Sequence, residues 1–198
     1  MAADRLTNVV GALTLAVTDA VRHAAETASG HTDAGPAALT ILLPAPHGRS
    51  IDELRRAVGL TSSGGVRLVD RLVGDGLVER RAGTDARTVL VSLTRRGRRV
   101  ARATLTARAE AVERILAPLA AGERATLEAL VETVLSAHVV DKLQARTTGG
   151  WVCRLCDQAA CGRDRGACPA ATAAASAPRP DVTPEPRAGD RRSRGERQ

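Results

Sequence analysis

Between Ser50 and Leu93 the spacing of apolar residues passes from a helical period to an alternating one, and this change restricts the possible folds more than any other feature. Ser50 has Glu53 three residues on, the spacing of a capping box, and Ile51, Leu54 and Val58 then face one side until Gly59 closes the turn. A second helix begins at once. Thr61 is placed to cap it, Val66, Val69, Leu72 and Val73 form its apolar stripe, and Gly74 and Gly76 stop it. Two β-prone runs follow, Leu77 to Arg81 and Arg87 to Leu93, around the turn-forming segment from Ala82 to Ala86. Two short helices joined by a tight Gly-containing turn and followed directly by a hairpin make a helix-turn-helix with a wing.

Longer helical patterns flank this unit. Residues 4–28 carry Leu6, Val9, Val10, Leu13, Val17, Val21 and Ala24 at three- and four-residue steps. A short buried helix is expected from Ala37 to Leu43, halted by Pro44 and Pro46. Thr94 is placed to cap a long helix to about Leu116, and residues 122–144 read as a further helix with Leu127, Leu130, Val131, Val134, Leu135 and Val139 on one stripe. With no Phe or Tyr and one Trp, the core must be built from Leu, Val, Ile and Ala, which favours helix-on-helix packing. The expected fold class is mainly α with a small β-hairpin wing (α+β). It is a winged helix-turn-helix with N- and C-terminal dimerisation helices, occupying residues 1–146. A lone winged unit leaves the apolar stripes of the outer helices uncovered, and a two-fold partner would cover them.

A formal net charge of +7 points to a polyanionic partner, and the scarcity of aromatic rings argues against single-stranded nucleic acid, whose bases stack on them. Double-stranded DNA asks for cations at phosphates and short polar groups at base edges. The second helix offers both: Thr61, Ser62 and Ser63 put hydroxyls and free backbone N–H groups at its N-terminus, and Arg67 and Arg71, four apart, share a face. Two readings of Gly64-Gly65 stay open, a close approach to the DNA backbone or a frayed first turn. On the hairpin, Arg80 is expected to contact DNA, and Arg87 to enter the minor groove with Asp85 orienting it or holding the turn. Arg95, Arg96, Arg98, Arg99 and Arg102 form either a further phosphate-binding row or a solvated face.

The run GLTSSGGVRLVDRLVGDGLVERRAGTDARTVLVSLTRRG resembles the recognition helix and wing of the MarR family of transcriptional regulators. The likeness lies in RLVDRL, GLVER, the D-x-R of Asp85 and Arg87, and the LTxxG of Leu93 to Gly97, and it extends in helix order over residues 1–146. The resemblance implies a homodimer built from the first helix and the last two, binding a palindromic operator, and a repressor relieved by a small ligand or by thiol oxidation. Gly65 and Val66 stand where the family more often has a branched and a polar residue, and Pro44 and Pro46 alter the connection into the helix-turn-helix.

All four cysteines fall in residues 151–169, as C-x2-C-x4-C-x6-C at Cys153, Cys156, Cys161 and Cys168. Four thiolates suit tetrahedral zinc, with an iron–sulfur cluster, a thiol redox switch or inert cysteines as the alternatives. Arg154, Arg163 and Arg165 would offset the negative charge of such a site. The winged domain itself needs no cofactor to bind DNA. Residues 170–198, dominated by Ala, Pro, Arg and acids without apolar period, read as a disordered tail.

No nucleophile–base arrangement, phosphate loop or HExxH motif is present, so an enzyme is not expected. The chain shows no membrane-spanning apolar run and no secretory leader, and the expected location is the cytoplasm. The function expected is a sequence-specific regulator of transcription, responsive to a ligand, metal or redox state. The alternative is a non-sensing DNA-binding or interaction module whose cysteine segment is a zinc-stabilised dock.

Overall fold

The computed structural model describes residues 4–83, 88–144 and 150–177. Among these residues seven α-helices and a small sheet follow in the order α1 (Arg5–Ser29), α2 (Gly35–Leu42), β1 (Arg49–Ser50), α3 (Ile51–Val58), α4 (Ser62–Gly74), β2 (Val78–Ala82), β3 (Val89–Leu93), α5 (Arg95–Leu116), α6 (Ala121–Gln144) and α7 (Pro169–Ser176), with a 3-10 turn at Arg163–Arg165 before the last. The mainly helical α+β class, with helix-turn-helix and wing, is the architecture expected.

Local chemistry sets the helix starts. The side chains of Asp4, Ser50, Thr61 and Thr94 each accept the backbone N–H three residues on. At α3 the box is complete, because Glu53 also accepts the backbone N–H of Ser50 at 2.9 Å. Gly59 ends α3 in the left-handed region at φ 79°, which lets the chain turn directly into α4.

The antiparallel sheet runs β1-β3-β2, with Val78 opposite Leu93 and Ala82 opposite Val89. The two-residue strand β1, absent from the sequence reading, pairs Arg49 with Val91. Gly48 precedes it at φ 83°, where a Cβ would stand 2.6 Å from the Val91 carbonyl oxygen. The core lies where α2, α3 and α4 meet the sheet: Leu39, Leu42, Leu54, Val69, Leu72, Val91 and Leu93 are fully buried. Helix α1 packs along α5, and α6 against α7.

Three expectations need correction. Residues 170–176 are not part of a disordered tail: Pro169 sits in the first turn of α7, where its missing N–H costs nothing, and the alanines that follow are strong helix formers. Val66 leaves the apolar stripe and stands 45% exposed, because Gly65, Leu68, Val69 and Leu72 take the inner face of α4. Gly65 is neither frayed nor free to approach DNA. It is buried inside the helix-turn-helix, and a Cβ there would meet the Arg55 Cβ at 2.6 Å.

Candidate nucleic-acid interface and the adjoining cysteine segment

Helix α4 turns one face into the core and the other to solvent. Ser62, Ser63, Val66, Arg67, Asp70 and Arg71 are exposed on the outer face, and Thr61 is exposed at the cap. Arg67 folds back on the first turn, its Nε donating to the Ser63 carbonyl at 3.3 Å and its Nη2 to the Ser63 hydroxyl at 3.4 Å. Serines, an arginine and an aliphatic group thus stand together at a helix N-terminus, offering donors, acceptors and a methyl-sized contact to base edges. The apolar period had assigned Val66 inward; the glycine before it lets α4 sit close to α3 and leaves Val66 outside.

The wing joins this face through an ion pair. Arg80 on β2 donates to Asp70 on α4 at 2.5 Å, so one of the arginines expected at DNA is held against the recognition helix. Arg81 pairs instead with Glu79. Asp85 and Arg87, at the wing tip, lie outside the described residues. At the base of the wing, the Arg96 Nη1 donates to the Asp75 carbonyl at 2.9 Å, while Arg95, Arg98, Arg99 and Arg102 project into solvent from α5.

Apolar side chains on the long helices are left uncovered. Leu6 is 71% exposed on α1 and Val134 69% on α6, with Val9, Val10, Leu13, Leu130 and Val131 also open to solvent.

The cysteine segment docks on the head. The Trp151 backbone N–H donates to the Ala57 carbonyl of α3 at 2.7 Å, and the Thr40 hydroxyl of α2 donates to the Arg154 carbonyl at 2.7 Å. The Arg49 guanidinium lies 5.3 Å from the centre of the Trp151 ring, a cation–π distance. Lys142 of α6 donates to the Gly150 carbonyl at 2.7 Å. Between head, α6 and segment is a cavity of about 810 Å³, whose lining includes Arg55, Leu60, Leu143, Trp151, Cys153 and Arg163.

The structure brings the four cysteines of the sequence motif into one neighbourhood, all with free thiols. Cys153 and Cys161 pack against the buried Cys168, and the thiols influence one another most strongly within the pairs Cys153–Cys156 and Cys161–Cys168. The Cys153 thiol pulls the Cys156 thiol down to about 6 against the opposing effect of burial, with the Arg108 guanidinium helping. Burial first, and then the Cys168 thiol, pushes Cys161 up to about 11. Arg108 lies on α5, far away in sequence, and nothing in the motif announces it. Among the described residues, no three His, Cys, Asp or Glu side chains already stand in an arrangement fit to hold a metal ion.

Neither a family model nor a curated protein matches the sequence. Solved structures do. Wild-type MarR from E. coli, in its apo form, is 25% identical with a TM-score of 0.56, over 68% of this chain and 99% of its own. The chain has the MarR-type winged-helix fold. A probable transcriptional regulator from Pseudomonas aeruginosa is 28% identical with a TM-score of 0.51, over 66% of this chain and 99% of its own. The reduced form of MarR from E. coli is 28% identical with a TM-score of 0.55, over 63% of this chain and 95% of its own. About a third of this MarR-like chain therefore has no counterpart in the matched structures. The Pseudomonas aeruginosa protein is a probable transcriptional regulator, and the chain's broad class is that of a DNA-binding regulator. Among the described residues no helix is long and apolar enough to cross a membrane.

Proposed function

We propose that the chain is a sequence-specific repressor of transcription that binds a palindromic double-stranded operator as a homodimer. The observation that carries this reading is the outer face of α4, where Ser62, Ser63, Val66, Arg67 and Arg71 lie open beside a wing tied to the same helix through Arg80 and Asp70. Hydroxyls and guanidinium groups read base edges, a valine suits a thymine methyl, and the exposed α5 arginines offer cations to phosphates.

Dimerisation rests on the uncovered Leu and Val side chains of α1 and α6, which a second copy would bury. A two-fold dimer places two α4 helices about one turn of DNA apart, so each operator half should mirror the other. Responsiveness to a small effector is supported by the cavity of about 810 Å³ between the α3–α4 turn, α6 and the cysteine segment, within the usual size range of ligand sites.

Selection of binding sites from a random duplex library by the purified full chain tests the reading. Enrichment of an inverted repeat is expected. Equal recovery of all sequences, with affinity set by salt alone, would overturn it.

A further inference from the structure

The segment from Gly150 to Pro169 is ordered without an apolar core of its own. Trp151 is 41% exposed and Val152 36%, which leaves Leu155 as its one large aliphatic side chain turned partly inward. Turns shape it instead: Cys156 N–H donates to the Cys153 carbonyl at 3.1 Å, Cys161 N–H to the Asp157 carbonyl at 3.0 Å and Ala167 N–H to the Gly162 carbonyl at 2.9 Å. Gly162 and Gly166 take left-handed conformations at φ 66° and 71°. Fixing so many backbones costs conformational entropy that hydrogen bonds of this kind do not offset, and small units without a core commonly depend on a cross-link.

Cysteines stand where that core would be. Cys168 is 2% exposed and packs with Val139 and Ala170, against which Cys153 and Cys161 also lie. Disulfides Cys153–Cys156 and Cys161–Cys168 would close loops of only four and eight residues, and would leave the two halves of the segment unlinked. One centre shared by all four sulfurs would join the halves. The Arg108 guanidinium, acting on both Cys156 and Cys161, supplies a cation beside a site that would carry excess negative charge. The nearby carboxylate of Asp157 is already engaged, accepting the N–H groups of Ala159 at 3.0 Å and Ala160 at 3.3 Å.

We propose that Cys153, Cys156, Cys161 and Cys168 are the four ligands of a single zinc-class ion, which is the cross-link of this segment. As free thiols they do not form a finished shell. Binding draws the four sulfurs onto the ion, the protons that they still carry pass to solvent, and four metal–sulfur bonds form with no change of oxidation state. Thiolate sulfur is the soft donor that zinc shares with few competing hard cations. The site is independent of which DNA the head reads.

The test uses the full chain purified under reductant without chelator. Elemental analysis is expected to give one zinc per chain with negligible iron and acid-labile sulfide. An organomercurial that captures the thiols should release that zinc in step with four thiol equivalents. Exchange with Co(II) should give the visible and near-ultraviolet bands of a tetrahedral tetrathiolate. Cys161→Ser should weaken retention of the metal and alter the cobalt spectrum while the helical circular dichroism of the winged domain persists. Because Cys168 is buried, its variants can fail by misfolding, and the cobalt spectrum of the unaltered chain decides without them. Stoichiometric iron and sulfide, intramolecular disulfides in the reduced preparation, or failure to take up either Zn(II) or Co(II) would each overturn the assignment.

Discussion

Arg80, on the first strand of the wing, holds Asp70, on the recognition helix, at 2.5 Å. The pair links the wing to α4 and offsets a carboxylate on the exposed face of that helix. Both side chains are well exposed, so Asp70→Asn is expected to cost no more than about 0.2–1 kcal/mol of stability in urea melts. The same variant releases Arg80 and removes a negative charge, and should tighten binding to nonspecific duplex with a steeper dependence on salt. Unchanged or weaker binding would show that Asp70 contributes to DNA contact rather than opposing it.

The adjacent glycines of α4 separate a packing requirement from helix propensity. Gly65→Ala drives a Cβ into Arg55 of α3 and should destabilise by about 1–3 kcal/mol. At Gly64 the added Cβ is crowded by the Thr61 hydroxyl at 3.2 Å and meets Leu60 at an ordinary 3.5 Å, and a gain in helix propensity of roughly 1 kcal/mol offsets that crowding. Chemical denaturation of both variants should therefore place Gly64→Ala near the parent and Gly65→Ala well below it.

The capping box of α3 gives an acid-sensitive increment. Hydrogen bonds from the Ser50 backbone and side chain hold the Glu53 carboxyl below its ordinary 4.5. A carboxyl lowered on folding contributes stability above its unfolded pKa and loses it as pH falls through the lower folded value. Ser50→Ala should cost about 1 kcal/mol at neutral pH. The gap to the parent should narrow in acid, because protonation of Glu53 removes from the parent the Ser50 hydroxyl bond that the variant already lacks, while the backbone bond is common to both. A gap that stays constant across a pH series of urea melts would remove Glu53 from the account.

Leu13 on α1 and Leu130 on α6 are 49% and 61% exposed within one chain. If a second copy covers them, Leu13→Glu and Leu130→Glu each bury a charge in the interface, and sedimentation should report a monomer with parental helix content. Affinity for an inverted-repeat operator should fall together with dimerisation. A variant that remains dimeric places the interface elsewhere.

Thr40 is buried at 3% exposure and its hydroxyl bridges to the Arg154 carbonyl across 114 positions of sequence. Thr40→Val keeps the shape and removes the donor, a loss of about 0.5–1.5 kcal/mol for a bond whose acceptor lies on an exposed residue. Limited proteolysis should then cut sooner near residues 150–156, while the helices of the head survive. Equal cleavage in parent and variant would show that the segment is held by its other contacts alone.

The head of this protein was legible because its signals are local. Ser50, Thr61 and Thr94 cap helices through bonds reaching three residues, and Gly59 ends a helix at its own position. Val66 was misread because a stripe counted by period does not show that Gly65, lacking a side chain, is the residue pressed against α3. The strand β1 is two residues long and exists only through its pairing with β3. Helix α7 was hidden by composition: Ala and Pro in a polar tail look disordered unless Pro169 is seen as a first-turn residue. The cysteine spacing was plain, but its setting was not. Arg108 comes from α5 and the docking partners from α2, α3 and β1, and a motif of consecutive residues carries no trace of such distant neighbours.

The docking of residues 150–154 gives the head a further mooring. The chain already enters the head from α1 into α2 and leaves it from β3 through Thr94 into α5, and α2 packs on α5. The bond from Trp151 to Ala57 adds a tie at the end of α3 that leads into α4. If two copies associate, a tie at that end works like the screw of a calliper, holding the gap between their α4 helices before any DNA is met.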